Sequence, residues 1–155
     1  MKKDTSLELL NAADELGFEA RSATGDHAAL KLWLRMLSCT NQIEAEIRRR
    51  LRVQFDTSLP RFDYLAQLYR EPEGLRMKEL SSHLMVTGAN VTGITDQLEA
   101  EGMVQRAPVE GDRRALLIRL TAAGRMAFAD MAREHEGWIV DALEGLSERE
   151  VETLY

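Results

Sequence analysis

Apolar residues recur along this chain mostly at helical spacing and change to a strand-like rhythm in one short stretch. Leu7, Leu10, Ala13 or Asp14, and Phe18 predict a short amphipathic helix over 5–18, and SATGD at 22–26 breaks it, with Asp26 placed as an N-cap. A long helix is expected over 27–54, striped by Leu30, Trp33, Leu34, Leu37, Ile43, Ile47 and Leu51. A stripe of that length on a small chain usually faces a partner chain as well as its own core. DTSLP then interrupts, and Pro60 suits the first turn of a helix carrying Phe62, Leu65, Leu68 and Tyr69.

REPEG reads as a turn, and LRMKELSSHL as a short helix entered through a residue or two of strand. MVTG turns the chain, Thr87 is a natural N-cap for a helix over 88–101, and Gly102 ends that helix as its C′ residue. MVQRA and ALLIRL read as two strands joined by PVEGDRR. Thr121 caps another long helix, with Ala122, Met126, Ala129, Trp138 and Ala142 among its apolar positions. Ser147 and Glu150 form a capping box for a last helix whose apolar face begins with Val151 and Leu154. That helix is expected to continue beyond Tyr155.

Helix, tight turn, helix and then a two-stranded hairpin is the order of a winged helix-turn-helix, a DNA-binding arrangement. The fold class expected is therefore mainly α with a small β-hairpin. Residues 58–120 would form the winged region, and 1–57 with 121–155 would supply dimerisation helices.

The helix over 88–101 starts with TGANVTG, an unfavourable beginning, since each interior glycine costs about 1 kcal/mol relative to alanine. On a helical wheel Val91, Ile94, Thr95 and Leu98 share one face. The opposite face holds Ala89, Gly93, Asp96 and Ala100, flanked by Asn90, Thr92 and Gln97. A face this bare has two uses: it admits a closely packed neighbouring helix, or it lets the helix axis sink into a DNA groove. The hairpin that follows favours DNA. Short side chains such as Thr87, Asn90 and Thr92 would then reach base edges, asparagine pairing with adenine and a threonine methyl meeting that of thymine. Glycine N–H groups at a helix start, where Gly88 sits, can also receive a phosphate, and Gly93 is counted with Gly88 among the DNA-binding residues. In the connection, Arg113 and Arg114 lie just past Gly111, placed to contact phosphate or enter a minor groove. Asp112 would repel DNA if free and makes better sense as a brace for an arginine.

Charge first argues the other way, because the net charge is −6. Its distribution reverses the point: residues 31–120 hold 14 Lys and Arg against 12 Asp and Glu, and the acidity sits at the two ends. Phosphate contacts act at short range in salt, so a locally positive face suffices. The single cysteine, Cys39, excludes an internal disulfide and fits a reducing cytoplasm. No apolar run reaches the roughly 18 residues of a membrane span, and no apolar signal core follows the N-terminal lysines. His27, His83 and His135 are scattered, so no metal or other cofactor is expected. Glu44 and Glu46, or Ser38 with His83, could be assembled into an acid–base set, but no motif supports an enzyme.

The stretch MKELSSHLMVTGANVTGITDQLEAEGMVQR followed by GDRRALLIRLTAAG strongly resembles the MarR family of regulators, over roughly residues 30–145. Its most specific part is Asp112-x-Arg114 followed by Leu120-Thr121-x-x-Gly124. The resemblance implies a homodimer with interlaced terminal helices and two winged regions reading a palindrome in double-stranded DNA. It makes Arg114 the minor-groove arginine and Asp112 its brace, and puts Thr87, Asn90 and Thr92 on the reading helix.

A narrower likeness, carried by LMVTGANVTGITDQLE, RFDYLAQLYREPEGLRMKELS and MAREHEGWI, is to repressors of hydroxycinnamate catabolism that respond to a hydroxycinnamoyl-CoA thioester. An effector should sit between the dimerisation helices and the winged region, where it can alter the spacing of the reading heads. Trp33, Met36, Phe62 and Tyr69 are candidates to hold an aromatic acyl group, though each also suits plain core. Arg35 and the arginines of EIRRRLR could meet the CoA phosphates, or the latter could simply complement a helix C-terminus. The alternatives are a sensor of the free phenolic acid and a peroxide sensor acting through Cys39.

Overall fold

The computed structural model describes residues 28–84, 88–109 and 112–155. The expected helix over 5–18, the Asp26 cap and Thr87 lie outside them. In chain order the elements are α1 (Ala28–Phe55), α2 (Leu59–Arg70), β1 (Leu75–Arg76), α3 (Met77–His83), α4 (Gly88–Ala100), β2 (Val104–Val109), β3 (Asp112–Leu120), α5 (Ala122–Ala142) and α6 (Glu148–Leu154). They fall into two compact units. One is Arg50–Glu136; the other comprises residues 28–49 of the described chain with Gly137–Tyr155.

In the unit Arg50–Glu136, Leu51, Tyr64, Leu65, Leu68, Leu80, Val91, Leu98, Val104 and Ile118 are buried almost completely. Fully burying an aliphatic side chain contributes about 1.5–3 kcal/mol, so this cluster anchors α2, α3 and α4 to the sheet. Short-range signals set the helix ends. Asp56 closes α1 with a left-handed φ of 47°, a conformation open to aspartate. Ser58 precedes α2 and Pro60 sits in its first turn, where a missing N–H costs nothing. Glu79 Oε2 accepts from the Arg76 N–H at 2.7 Å at the start of α3. Gly102, at φ 71°, ends α4 in a Schellman motif, with Met103 N donating to Leu98 O at 2.8 Å and Gly102 N to Glu99 O at 2.9 Å.

The sheet is antiparallel with order β1-β3-β2. Leu75 pairs with Ile118, and Val104 with Leu120. The hairpin runs further than its sequence suggests. Pro108 and Val109, expected in the connection, are in β2, and Asp112, Arg113 and Arg114 are in β3. β2 is an edge strand, where a proline is tolerated, and the register shifts between Pro108 and Val109 so that Val109 meets Asp112.

The apolar stripe of α5 also differs in detail from the expected one. Ala122 and Met126 are exposed, whereas Phe128 and Met131 are buried along with the expected Trp138. Phe128 packs on Phe62, with ring centroids 5.3 Å apart, and His135 packs on Phe62 at 4.9 Å. Burial pushes the His135 imidazole below its ordinary value, against the opposing pull of Asp63.

The second unit keeps Ile47 and Trp138 buried but leaves large apolar side chains in the open. Trp33 is 57%, Met36 60% and Leu154 76% exposed. Ser147 caps α6 as expected, its Oγ accepting from Glu150 N and its N–H donating to Glu150 Oε2 at 2.8 Å.

Candidate nucleic-acid interface

The candidate interface is built on α4. Val91, Thr95 and Leu98 are buried, while Gly88, Asn90, Thr92, Gly93, Asp96, Gln97 and Ala100 are exposed, so the inner and outer faces divide as the wheel requires. A Cβ placed on Gly88 or Gly93 would meet nothing within 4 Å. Neither glycine therefore makes room for a neighbour within the described chain. Thr92 donates its hydroxyl to the Gly88 carbonyl at 3.0 Å, which leaves its methyl and lone pairs for an outside partner.

The open space makes a direct test. Gly93→Ala should stabilise the protein by up to about 1 kcal/mol, because alanine is the better helix former and its methyl meets no neighbour. The same methyl should weaken DNA binding if the bare face enters a groove. Chemical denaturation and a binding titration of one variant would show opposite signs. Stabilisation with unchanged DNA affinity would mean that this face does not approach DNA.

The wing strand is tied to α4 by Arg106, which the sequence reading overlooked. Its guanidinium pairs with both Asp96 and Glu99, and its N–H donates to Glu99 Oε1 at 3.2 Å. The hydrogen bond that the guanidinium donates to Asp96 is the largest cause raising the Arg106 pKa, against some desolvation, with Glu99 adding to it. Asp96 lies on the exposed face, where a lone carboxylate would repel phosphate; Arg106 offsets that charge. Spacing offers no signal for this pairing, because the strand residue and the helix residues meet only once the turn at Gly102 brings β2 back along α4. Arg61, near the start of α2, pairs with Glu101 past the end of α4.

Asp112, Arg113 and Arg114 occupy the β3 end of the hairpin tip. Their side chains lie outside the described part of the structure, as does Thr87. At the other end of β3, Thr121 donates its hydroxyl to Gly102 O at 2.7 Å and accepts from Gly124 N at 2.9 Å. Thr121 N also donates to Met103 O at 3.0 Å. The Leu120-Thr121-x-x-Gly124 run thus joins the end of α4 to the start of α5.

The residues considered for a ligand divide between the units. Phe62 is buried, and Tyr69 is partly exposed, with its ring 5.0 Å from Phe128 and the Arg125 guanidinium 5.0 Å above it. Both pack on Phe128. Trp33, Arg35 and Met36 are exposed on α1, in the other unit. Of the α1 arginines, Arg48 pairs with Glu44, and Arg49 with Glu46 at 2.6 Å. These charges are partly spent within the helix, which reduces what they can offer to a phosphate. Cys39 is exposed.

Two helices close together in the sequence, the second with an open outer face, and a hairpin clamped beside it define a winged helix-turn-helix fold. Residues 57–116 match the model of the MarR family. The chain is 33% identical over 99 residues to the HTH-type transcriptional regulator PecS of Dickeya dadantii, covering 63% of this chain and 60% of that protein. It is 29% identical over 107 residues to the transcriptional activatory protein BadR of Rhodopseudomonas palustris, covering 68% and 61%. The chain thus spans about three fifths of the length of these curated relatives. Among solved structures, a MarR family transcriptional regulator from Silicibacter pomeroyi superposes with a TM-score of 0.67 at 29% identity, covering 84% of this chain and 91% of that one. Over residues 57–116 the chain is thus similar to the MarR family.

Proposed function

We propose that this chain is a homodimeric, sequence-specific DNA-binding transcriptional regulator, a repressor released from a palindromic operator by a small molecule. The observation that carries the reading is the open glycine face of α4 beside the hairpin: helix stability is given up at Gly93, inside the helix, for no packing gain within the described chain. The family match supports it. The homodimer is supported by the exposed Leu32, Trp33, Met36, Val140 and Leu154, apolar surface of the kind that marks an interaction site. Light scattering should give a dimer at micromolar concentration, and a gel shift on the upstream region of the chain's own gene should give a retarded band. A monomer, or no shift at low salt, would overturn the reading. A promoter–reporter fusion gives the sign of regulation, a question sharpened by the relative described as activatory.

For the effector we propose a hydroxycinnamoyl-CoA thioester, p-coumaroyl-CoA or feruloyl-CoA. The support is the narrower sequence likeness together with the aromatic and apolar candidates Trp33, Met36, Phe62 and Tyr69. Arg35 is the cation considered for the CoA phosphates, since Arg48 and Arg49 already carry carboxylate partners. A ligand shifts an equilibrium only by its differential affinity for the two states, so tenfold release needs about 1.4 kcal/mol of preference for the non-binding form. Titrating the DNA complex should show release by the thioester and little by the free acid or CoA alone. Equal release by the free acid would replace the thioester with a phenolic acid, and release by peroxide alone would move the switch to Cys39.

A further inference from the structure

Beneath the open face, α4 is held by a polar contact in an otherwise apolar setting. Thr95 is fully buried, as is Tyr64. The Thr95 hydroxyl lies 2.7 Å from the Val91 carbonyl, 2.5 Å from the Tyr64 hydroxyl and 3.5 Å from Met77 Sδ. A threonine hydroxyl has one hydrogen to give. The Val91 carbonyl can only accept, so that hydrogen goes to Val91 and Tyr64 donates to Thr95. The phenol keeps its proton: burial pushes it up to about 12, outweighing the opposing pull of the Thr95 hydrogen bond and of Arg106. Tyr64 belongs to α2, Met77 to α3 and Thr95 to α4, so each helix of the motif contributes one group to a single junction.

The junction does what its apolar surroundings cannot. Burial of Val91 and Leu98 is non-directional; it keeps α4 against the core but tolerates small rotations about the helix axis. A hydrogen bond weakens steeply as it bends, and this one joins the inner face of α4 to α2, so a rotation of α4 would bend it. We propose that Tyr64 is a positioning residue for DNA recognition: its buried hydrogen bond to Thr95 sets the rotation of α4, and so which of Asn90, Thr92 and Gly93 face the groove. The proposal rests on the DNA-binding reading above.

The test uses the full chain and two probes: a duplex enriched by the wild-type protein from a random-sequence pool, and a scrambled duplex of the same length. Affinities are measured for wild type, Tyr64→Phe, Thr95→Val, the double variant and Thr95→Ser, at a temperature where circular dichroism shows each to be folded. Tyr64→Phe should lower the ratio of enriched to scrambled affinity by about 3- to 10-fold, the range expected for one hydrogen bond. Affinity for the scrambled duplex and its salt dependence should stay unchanged, because those report phosphate contacts. The double variant should be no worse than the poorer single one, and Thr95→Ser, which keeps the hydroxyl, should keep the ratio. A purely structural role would lower the folding midpoint without moving the ratio. An unchanged ratio in both single variants, additive losses, or equal losses on both duplexes would overturn the proposal. If Tyr64→Phe does not fold, Thr95→Val against Thr95→Ser decides the same question. If the wild-type protein enriches no sequence, the DNA-binding reading fails first and takes this proposal with it.

Discussion

Arg114→Ala is expected to weaken operator binding by about 1–3 kcal/mol, the usual worth of a groove-contacting arginine, while the folding midpoint stays where it was. Arg114 lies near the start of β3, and β3 pairs with both other strands of the sheet. The strand's hold on the core comes from Ile118, which is fully buried, so loss of the arginine side chain should not unfold the wing. The neighbouring substitution gives the contrast. Arg113→Ala should weaken binding evenly across sequences and reduce the slope of log affinity against log salt by about 0.9, the loss of one phosphate contact. Fluorescence anisotropy on operator and scrambled duplexes over a salt series separates the two. If Arg114→Ala left both affinity and sequence discrimination intact, the wing would not be reading DNA.

Gly124→Ala should destabilise the protein by about 1–3 kcal/mol, the range for overpacking a tight contact. A Cβ on Gly124 would overlap the Met103 carbonyl, a backbone group with no side-chain freedom to move away. Displacing Met103 would also disturb the Thr121 N–H bond to Met103 O and the adjoining Thr121 hydroxyl bond to Gly102 O. The gain in helix propensity, about 1 kcal/mol, offsets only part of this. Thermal denaturation should show a midpoint lower by about 2–12 °C. A midpoint equal to or above wild type would mean that α5 can retreat from Met103 at little cost. The same substitution at Gly93 has the opposite expected sign, and the difference lies wholly in what stands next to each glycine.

Much of the fold follows from short-range chemistry that a sequence displays. Pro60, Gly102, Thr121 and the Ser147–Glu150 pair each satisfy or forgo backbone groups within a few residues of themselves, so the corresponding helix ends were legible. The inner face of α4 was legible for a related reason: a period of 3.6 residues sorts Val91, Thr95 and Leu98 to one side whatever they pack against. The strand ends were less so. Pro108 and the PVEGDRR composition signal a loop, yet edge position and a register shift keep the ladder going to Val109 and Asp112, and both are properties of the assembled sheet. The stripe of α5 was read too loosely, since Met126 and Phe128 are equally apolar and only the Phe62 and Tyr69 rings choose between them.

The sequence by itself determined the order of elements, the family resemblance and the bare outer face of α4. Local periodicity, caps and residue types are sufficient for these. Tertiary structure alone decided that Arg106 closes on Asp96 and Glu99, that the Tyr64 hydroxyl meets that of Thr95, and that Gly124 is confined while Gly93 stands open. These depend on how separate elements come to lie against one another, and their energies depend on distance and direction, which no spacing along the sequence encodes.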